Sequence, residues 1–168
     1  MKLPVVEIFQ SVQGEGCNLG KAANFIRLAG CNLNCPWCDT DWSVPKLGNL
    51  DNGEIIDQLN PSIQLVVITG GEPLIHDLNS LILSLFNLGW KVAIETNGTR
   101  PACELKERFP DLWITCSPKP EVNWEVNISG IDELKYVVDG ALKKENILNC
   151  YAAVAGIAVW LQPEGSKM

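Results

Sequence analysis

Apolar residues occur along this chain in two recurring patterns, short continuous runs and longer segments with helical spacing. The runs predict strands over 5–9, 24–29, 65–69, 91–95, 112–116, 133–138 and 156–161. The segments predict helices over 54–59, 78–88, 103–108 and 141–148. Strands that are apolar throughout are typical of a parallel sheet covered by helices, so the pattern predicts βαβ units.

The spacing of these units limits the architecture to an α/β fold smaller than a complete barrel. Predicted strands begin at residues 65, 91 and 112, and intervals of this size are short for the units of an eight-fold barrel. We therefore expect a compact, partly open (β/α) barrel. No repeat or linker divides residues 1–168, which are expected to form a single domain.

Composition narrows the classes of protein that the chain can belong to. Hydrophobic residues make up 46% of the sequence and charged residues 20%, which is typical of a globular protein. The net charge of −7 and the lack of a basic stripe argue against binding to nucleic acid. The longest uncharged apolar run, 151–161, is too short for a membrane span, and no signal peptide is visible. We expect a cytoplasmic protein with a small-molecule ligand.

Three of the seven cysteines share one short loop near the N-terminus. Cys31, Cys35 and Cys38 have a C-x3-C-x2-C spacing, and the next cysteine downstream is Cys103. Iron–sulfur clusters and structural zinc sites both normally take four protein ligands. A cluster held by three cysteines leaves one iron open for a small molecule, which is the interpretation we favour. A half-built zinc site and three buried thiols are the alternatives, and the absence of a second C-x2-C pair argues against zinc.

Unusual loops follow three successive predicted strands. In parallel α/β folds the carboxyl ends of the strands meet at one edge, where ligands bind. Gly70 and Gly71 lack a Cβ, so their backbone can approach a ligand closely, and Glu72 could offer a carboxylate to an ammonium group. An ordinary strand-to-helix turn is the alternative. The three loops cover residues 69–73, 95–99 and 117–119.

Together these motifs resemble a known family of enzymes. The spacing Cys31-x3-Cys35-x2-Cys38 with Gly70-Gly71-Glu72-Pro73 downstream resembles the radical S-adenosylmethionine superfamily. More narrowly, the chain is similar to the 7-carboxy-7-deazaguanine synthase family, in the same order along the sequence, at residues 9–16, 38–40, 95–98, 117–119 and 160–163. The resemblance implies one radical SAM domain with the corresponding partly open barrel.

The resemblance also implies an activity and its cofactors. A 4Fe-4S cluster on the three cysteines would bind S-adenosylmethionine at its open iron and generate a 5′-deoxyadenosyl radical. The substrate would be 6-carboxy-5,6,7,8-tetrahydropterin, converted to 7-carboxy-7-deazaguanine with ring contraction and loss of ammonia, on the route to queuosine. A Mg²⁺ ion, a flavodoxin-type electron donor and a homodimer are further expectations. The alternatives are a glycyl-radical-activating radical SAM enzyme and a non-catalytic zinc-binding module.

Individual residues take roles from the same resemblance. The residues expected to bind S-adenosylmethionine are Trp37, Cys38, Asp39, Gly71, Glu72, Ser117, Pro118, Lys119 and Gln162. The residues expected to bind substrate are Val12, Gln13, Gly14, Arg27 and Thr69. The hydroxyl of Thr40 is expected to bind Mg²⁺, which commonly uses few protein ligands; from pattern alone, Asp39-Thr40 reads equally well as a turn or cap.

Arg27 has support from its strand as well as from the resemblance. It shares a strand face with Phe25 and Ala29, where a guanidinium requires water or an anion. Because guanidinium groups bind carboxylates through paired hydrogen bonds, the carboxylate of a pterin acid is a suitable partner. A solvated strand face is the alternative.

A few residues stay unassigned, and the C-terminus differs from the family. Glu95 ends a predicted strand and could face the site or cap a turn. The chain ends at Met168, shortly after Pro163, where the family continues with a tail that helps close the substrate pocket. Either this is a shortened member of the family, or the sequence is a fragment of a longer chain. No ligand role is expected for His76, Cys17, Cys103, Cys116 or Cys150.

Overall fold

One eight-stranded sheet organises the part of the chain that the structure describes. This structure is a computed structural model, and it describes residues 1–119, 122, 129–138, 145, 147 and 156–163. The strands are β1 (Lys2–Val12), β2 (Ala22–Leu28), β3 (Gly48–Asp51), β4 (Leu65–Gly70), β5 (Lys91–Thr96), β6 (Trp113–Cys116), β7 (Glu133–Val138) and β8 (Ala158–Pro163). The described helices are α1 (Asn52–Ile56), α2 (Asn79–Asn87) and α3 (Cys103–Arg108), with short 3₁₀ helices η1 (Gly16–Asn18) and η2 (Pro73–Ile75).

The sheet is mixed, and it is open at both edges. Its strand order is β3-β1-β2-β4-β5-β6-β7-β8. From β2 to β8 all neighbouring strands are parallel, whereas β1 is antiparallel to both β2 and β3. The partly open (β/α) barrel predicted from the sequence is therefore confirmed, with an antiparallel hairpin added to one edge.

The predicted elements agree with the structure to within a few residues at most ends. All seven predicted strands exist, and β1 is longer than the predicted run 5–9 because it pairs with β2 and β3 on its two sides. The strand β3 was not predicted, since its sequence is short and rich in poor strand formers. Most of the predicted helix 141–148, and Cys150, lie outside the described residues. Among the described helices, none has the length and hydropathy that a membrane crossing requires.

The two faces of the sheet carry different side chains because residues alternate along each strand. The outer face packs against the helices in the main core, which includes Ile26, Ile68 and Ile94, all 0% exposed. The inner face begins with a second apolar cluster near the amino ends of the parallel strands: Ala23, Phe25, Leu65, Val67 and Ala93.

Two residues further along the same strands, the inner face becomes polar. Arg27 lies opposite Thr69 in the sheet, and Glu95 lies opposite Thr115. Along β7 the inner-facing positions are Glu133, which lies opposite Thr115, and then Lys135. The polar half of the inner face therefore occupies the carboxyl end of the parallel sheet, where the loops converge.

Candidate active site

The loop that carries the three cysteines is fixed against the loop that follows β4. The amide of Glu72 donates to the carbonyl of Gly30 (2.9 Å), and the amide of Gly71 donates to Leu28 (3.2 Å). A Cβ on Gly71 would lie 2.1 Å from the Gly30 carbonyl oxygen and 2.8 Å from the Cys31 Cβ. Only glycine allows this approach, so the Gly-Gly pair sets the position of the first cysteine.

All three cysteines line one cavity of about 160 Å³ at the carboxyl end of the sheet. None of the three is in a disulfide, and Cys31 accepts a hydrogen bond from the amide of Leu33 (3.4 Å). Burial raises the pKa of the Cys31 thiol, while the Leu33 amide partly offsets that rise. Within the described ranges, no three His, Cys, Asp or Glu side chains converge closely enough to hold a single metal ion.

The cavity brings together ten of the residues predicted from the sequence. Gly70, Glu95, Thr96, Asn97 and Lys135 also line it. The predicted residues in its wall are Cys31, Cys35, Trp37, Cys38, Asp39, Thr40, Thr69, Gly71, Ser117 and Lys119. The cysteine loop and the loops after β4, β5 and β6 thus meet as the parallel topology requires.

Glu72 was predicted to bind S-adenosylmethionine, but it lies behind the cavity wall. It is 0% exposed, and its carboxylate accepts hydrogen bonds from Thr96 Oγ1 (2.7 Å), the Asn97 amide (2.6 Å) and the Leu74 amide (2.9 Å). Burial raises the pKa of Glu72, against the lowering effect of these bonds. In this arrangement Glu72 joins the loop after β4 to the end of β5.

Other predicted residues lie around the cavity at different depths. Gln13 is 7% exposed and donates to Glu95 Oε1 (2.9 Å), so it reaches the inner face. Val12 is 60% exposed, and Gly14 is exposed with open space around it. Pro118 is buried beside Ser117, and Gln162 is half-buried on β8. The structure places none of Val12, Gln13, Gly14, Pro118 and Gln162 in the cavity wall.

Arg27 and Thr40 meet in a second cavity, which adjoins the first. Arg27 Nε bonds Glu7 Oε1 (2.7 Å), and its Nη1 lies 3.5 Å from Thr40 Oγ1. The Thr40 hydroxyl also donates to Asp39 Oδ1 (3.0 Å). Asp39 and Thr40 line both cavities, so an anion bound by Arg27 would lie next to the Thr40 hydroxyl.

A buried group of charges on the inner face was not predicted from the sequence. Lys135 has a side chain only 6% exposed, contacts Glu15 and lies 3.5 Å from Glu95 Oε1. Burial by itself would raise the pKa of Glu95, but the Lys135 cation and hydrogen bonds from Gln13 and Thr69 lower it below its usual value. Burial would likewise lower the pKa of Lys135, but Glu95 and Glu15 raise it.

Lys119 lies on the opposite side of this charge group. Its ammonium donates to Ser117 Oγ (2.7 Å) and lies 5.3 Å from the centre of the Trp37 ring, a cation–π contact. Burial, and then repulsion from Lys135, lower the pKa of Lys119. The cavity thus combines three thiols, an aromatic ring and two cations within one wall.

One pattern in the sequence indicates the buried charged residues of β7 that were not predicted. Glu133 and Lys135 stand two positions apart in an apolar strand, and such residues face the same side. A charged residue that faces the interior of a sheet is stable only with a partner. Two of them at this spacing therefore indicate a polar inner face.

Comparisons with known proteins agree with this geometry. The family model of the Radical SAM superfamily matches residues 25–118. A protein of Hyperthermus butylicus named 7-carboxy-7-deazaguanine synthase is 48% identical over 124 residues, which cover 70% of this chain and 52% of that protein. A protein of the same name from Bacteroides thetaiotaomicron is 42% identical over 142 residues, which cover 83% of this chain and 72% of that protein.

A solved structure has the same fold over nearly the whole chain. The crystal structure of QueE from Escherichia coli superposes with a TM-score of 0.80 at 31% identity. The match covers 99% of this chain and 86% of that one. Among the curated relatives the covered share is smaller, since this chain spans about half the length of the Hyperthermus protein.

Proposed function

The chain belongs to the radical SAM superfamily and, within it, to the 7-carboxy-7-deazaguanine synthase family, and from that membership we propose that it converts 6-carboxy-5,6,7,8-tetrahydropterin to 7-carboxy-7-deazaguanine. The reaction contracts a ring and releases ammonia. One observation carries the proposal: the main cavity is lined both by the three thiols and by polar residues of the inner face of the sheet. Membership of the superfamily implies a 4Fe-4S cluster and S-adenosylmethionine.

The chain's own residues fit these groups. Cys31, Cys35 and Cys38 are not in disulfides, share one loop and line one cavity, which suits a cluster held by three thiolates. The Gly71 backbone lies where a Cβ would collide with the cysteine loop. When bound, the cluster and S-adenosylmethionine supply a carbon-centred radical that removes an unactivated hydrogen atom. The protein's task is to orient the ligands and to exclude water from the cavity.

Residues of the loop after β6 suit the nucleoside part of S-adenosylmethionine. Ser117 and Lys119 line the cavity beside Trp37 and present a hydroxyl, an ammonium and an aromatic ring. Hydroxyl and ammonium groups bind ribose oxygens by hydrogen bonds, and an aromatic ring can contact adenine. We assign these three residues to S-adenosylmethionine, together with Asp39 and Gly71.

The carboxylate of the substrate would bind where the two cavities join. Arg27 provides a guanidinium there, and Thr40 provides a hydroxyl for Mg²⁺. Mg²⁺ commonly takes one or two protein ligands and completes its shell with water and substrate oxygens. The remaining pterin edge would lie toward Thr69 and Gln13 on the inner face.

The assay that tests this function uses oxygen-free protein reconstituted with iron and sulfide. With S-adenosylmethionine, a reductant, Mg²⁺ and the tetrahydropterin, we expect ammonia and 7-carboxy-7-deazaguanine in equal amounts. Cys35→Ala, treated in the same way, should give neither product. Release of neither product by the unmodified chain would reject the proposal. A radical on an added partner protein without pterin turnover would instead indicate a glycyl-radical-activating enzyme.

We also propose the expected setting of the enzyme. An oxygen-sensitive cluster on cysteines that form no disulfide suits a reducing compartment such as the cytoplasm. Its electron would come from a flavodoxin-type donor, and the active form would be a homodimer. Sedimentation of the reconstituted protein, and turnover with reduced flavodoxin in place of a chemical reductant, test these two expectations.

A further inference from the structure

The connection between β1 and β2, which we call the β1–β2 tip (residues 13–20), crosses the inner side of the sheet to reach β7. Four strands lie between β1 and β7 in the sheet order. The tip begins as a hairpin, because Gln13 and Lys21 pair through their backbones (2.8 Å) and the Gly20 amide donates to Gln13 (2.8 Å). Its far end then contacts β7 through η1.

Three side-chain contacts at alternate residues hold the β1–β2 tip in this position. Gln13 Nε2 donates to Glu95 Oε1 (2.9 Å) on β5. The Glu15 carboxylate contacts the Lys135 ammonium on β7, and the Cys17 amide donates to Glu133 Oε2 (2.9 Å). Each of these contacts joins the tip to a residue of the inner face.

The partners on β7 are themselves fixed. Glu133 is 1% exposed, and its second oxygen accepts from Thr115 Oγ1 (2.7 Å). Lys135 is 5% exposed and also lies 3.5 Å from Glu95. A Cβ on Gly16 would lie 2.5 Å from Glu133 Oε1, so the backbone of the tip rests directly on that carboxylate. The contacts therefore join the backbone of the tip at Gly16 and Cys17 to side chains of β7 that have hydrogen-bond or ion-pair partners of their own.

We propose that Glu133 and Lys135 are positioning residues, which hold the β1–β2 tip across the open side of the barrel and so set the affinity for the pterin substrate. This inference rests on the proposed function, which assigns Gln13 to the substrate. Lys135 and Glu95 line the main cavity, whereas Glu133 does not. Glu133 thus contacts the tip without lining the cavity.

The reason for such an arrangement is entropic. A loop that is ordered only when substrate binds reduces the affinity by the cost of ordering it. Polar contacts that keep the tip in place before binding remove that cost. Loss of the contacts that Glu15 and Glu133 make should therefore raise KM for the tetrahydropterin and leave kcat little changed, since neither residue lines the main cavity.

The test compares three variants with a matched control in the reconstituted protein. Glu15→Ala and Glu133→Ala each remove one contact of the tip, and Lys135→Met removes the shared cation. The control is Lys106→Met, which breaks the ion pair between Lys106 and Asp132 (2.8 Å) away from the cavity. Glu15 is the most exposed of the three mutated sites, so Glu15→Ala is the variant that keeps the core intact.

Two measurements are made on each protein. Amide hydrogen exchange of residues 13–20 should be faster in the three variants and unchanged in Lys106→Met. In Glu15→Ala and Glu133→Ala, KM for the tetrahydropterin should rise about tenfold, corresponding to the loss of one charge-assisted hydrogen bond, with kcat and S-adenosylmethionine binding within about twofold. The kinetic expectation is limited to these two variants because Lys135 itself lines the main cavity, whereas Glu15 and Glu133 do not.

Exchange in the tip that is unchanged in Glu15→Ala and Lys135→Met would overturn the inference, because the contacts would then not hold it. Faster exchange with an unaltered KM would also overturn it, because the tip would then not affect substrate binding. If residues 13–20 of the unmodified chain are protected from amide hydrogen exchange but the protein turns over no tetrahydropterin, the proposed function fails. The link between the tip and the substrate then fails with it.

Discussion

At the scale of single residues, the chemistry depends on the three thiols of the cysteine loop. Each of Cys31, Cys35 and Cys38 lines the cavity, and a cluster bound by two cysteines has lost a third of its protein ligands. Replacement of any one by alanine is expected to abolish cluster assembly. Iron and sulfide analysis after anaerobic reconstitution measures this directly.

The matched control for that prediction is Cys103→Ala. Cys103 is a partly buried free thiol at the start of α3, outside the cavity wall, and alanine is a good helix former. Its iron and sulfide content should equal that of the unmodified chain. Equal loss of iron from all four variants would refute the ligand assignment.

A second prediction at this scale concerns the Lys135 cation. The lowered pKa of Glu95 means that its ionised form stabilises the fold above the unfolded carboxyl pKa of about 4.3, and that this stabilisation is lost as pH falls through the folded value. Lys135→Met leaves Glu95 and Glu15 without their cation. At pH 7 we expect a loss of about 3 kcal/mol in the free energy of unfolding, at the lower end for a broken buried pair because Glu15 is partly exposed.

As pH falls through the lowered pKa of Glu95 in the folded chain, this carboxylate takes up a proton, so the difference between the variant and the unmodified chain should narrow. Urea unfolding at a series of pH values measures this trend. A difference that is the same at pH 7 and in acid would contradict the assignment of the ion pair.

Residue patterns identified the cysteine loop that lines the cavity but not the polar partners inside the sheet. The cysteine spacing is local, so it is visible in the sequence. Glu72 shows what is not visible: its three hydrogen-bond donors come from two different loops, which only the fold brings together. Its predicted contact with S-adenosylmethionine stays a prediction. Glu95 and Lys135 are likewise 40 positions apart in the chain and meet only across the sheet.

At the scale of elements, the close contact between two loops gives a sharp prediction. Gly71→Ala would force its Cβ against the Gly30 carbonyl and the Cys31 Cβ, so the cysteine loop must move. Overpacking of this kind costs about 1–3 kcal/mol, and the displaced loop should lose most of its cluster. Thermal unfolding and iron content measure the two effects.

Gly53→Ala is the matched control for that substitution. Gly53 lies in α1, and its Cβ would be at an ordinary distance of 3.4 Å from Asp51 Oδ1. Because alanine is favoured over glycine in a helix, this variant should be about 0.5–1 kcal/mol more stable, with its cluster intact. Equal destabilisation by both substitutions would show that the contact at Gly71 has no special role.

Strands and helices were predictable where their own residues favour that conformation. A strand was missed where only its pairing with a neighbouring strand determines the conformation. The runs that form β4 and β5 are almost wholly buried, so their apolar pattern is strong. Strand β3 has the sequence Gly-Asn-Leu-Asp and exists because β1 pairs with it from Lys2 to Val5. No local signal marks such a strand.

At the scale of the whole molecule, the alternation of side chains between the two faces of the sheet explains both stability and chemistry. Side chains on the outer face of the parallel strands form the main core, and the inner face changes from apolar to polar toward its carboxyl end. The fold class followed from the order of strands and helices. The position of the cavity followed from the rule that ligands bind at the carboxyl ends of parallel strands.

The central claim is that three thiols of this chain hold a cluster whose fourth iron binds S-adenosylmethionine. Electron paramagnetic resonance of the reduced, reconstituted protein, recorded with and without S-adenosylmethionine, tests it most directly. We expect a signal of a reduced 4Fe-4S cluster that changes when S-adenosylmethionine is added, and that is absent from Cys31→Ala. A colourless protein that contains zinc without sulfide, or a cluster signal that S-adenosylmethionine leaves unchanged, would contradict the claim.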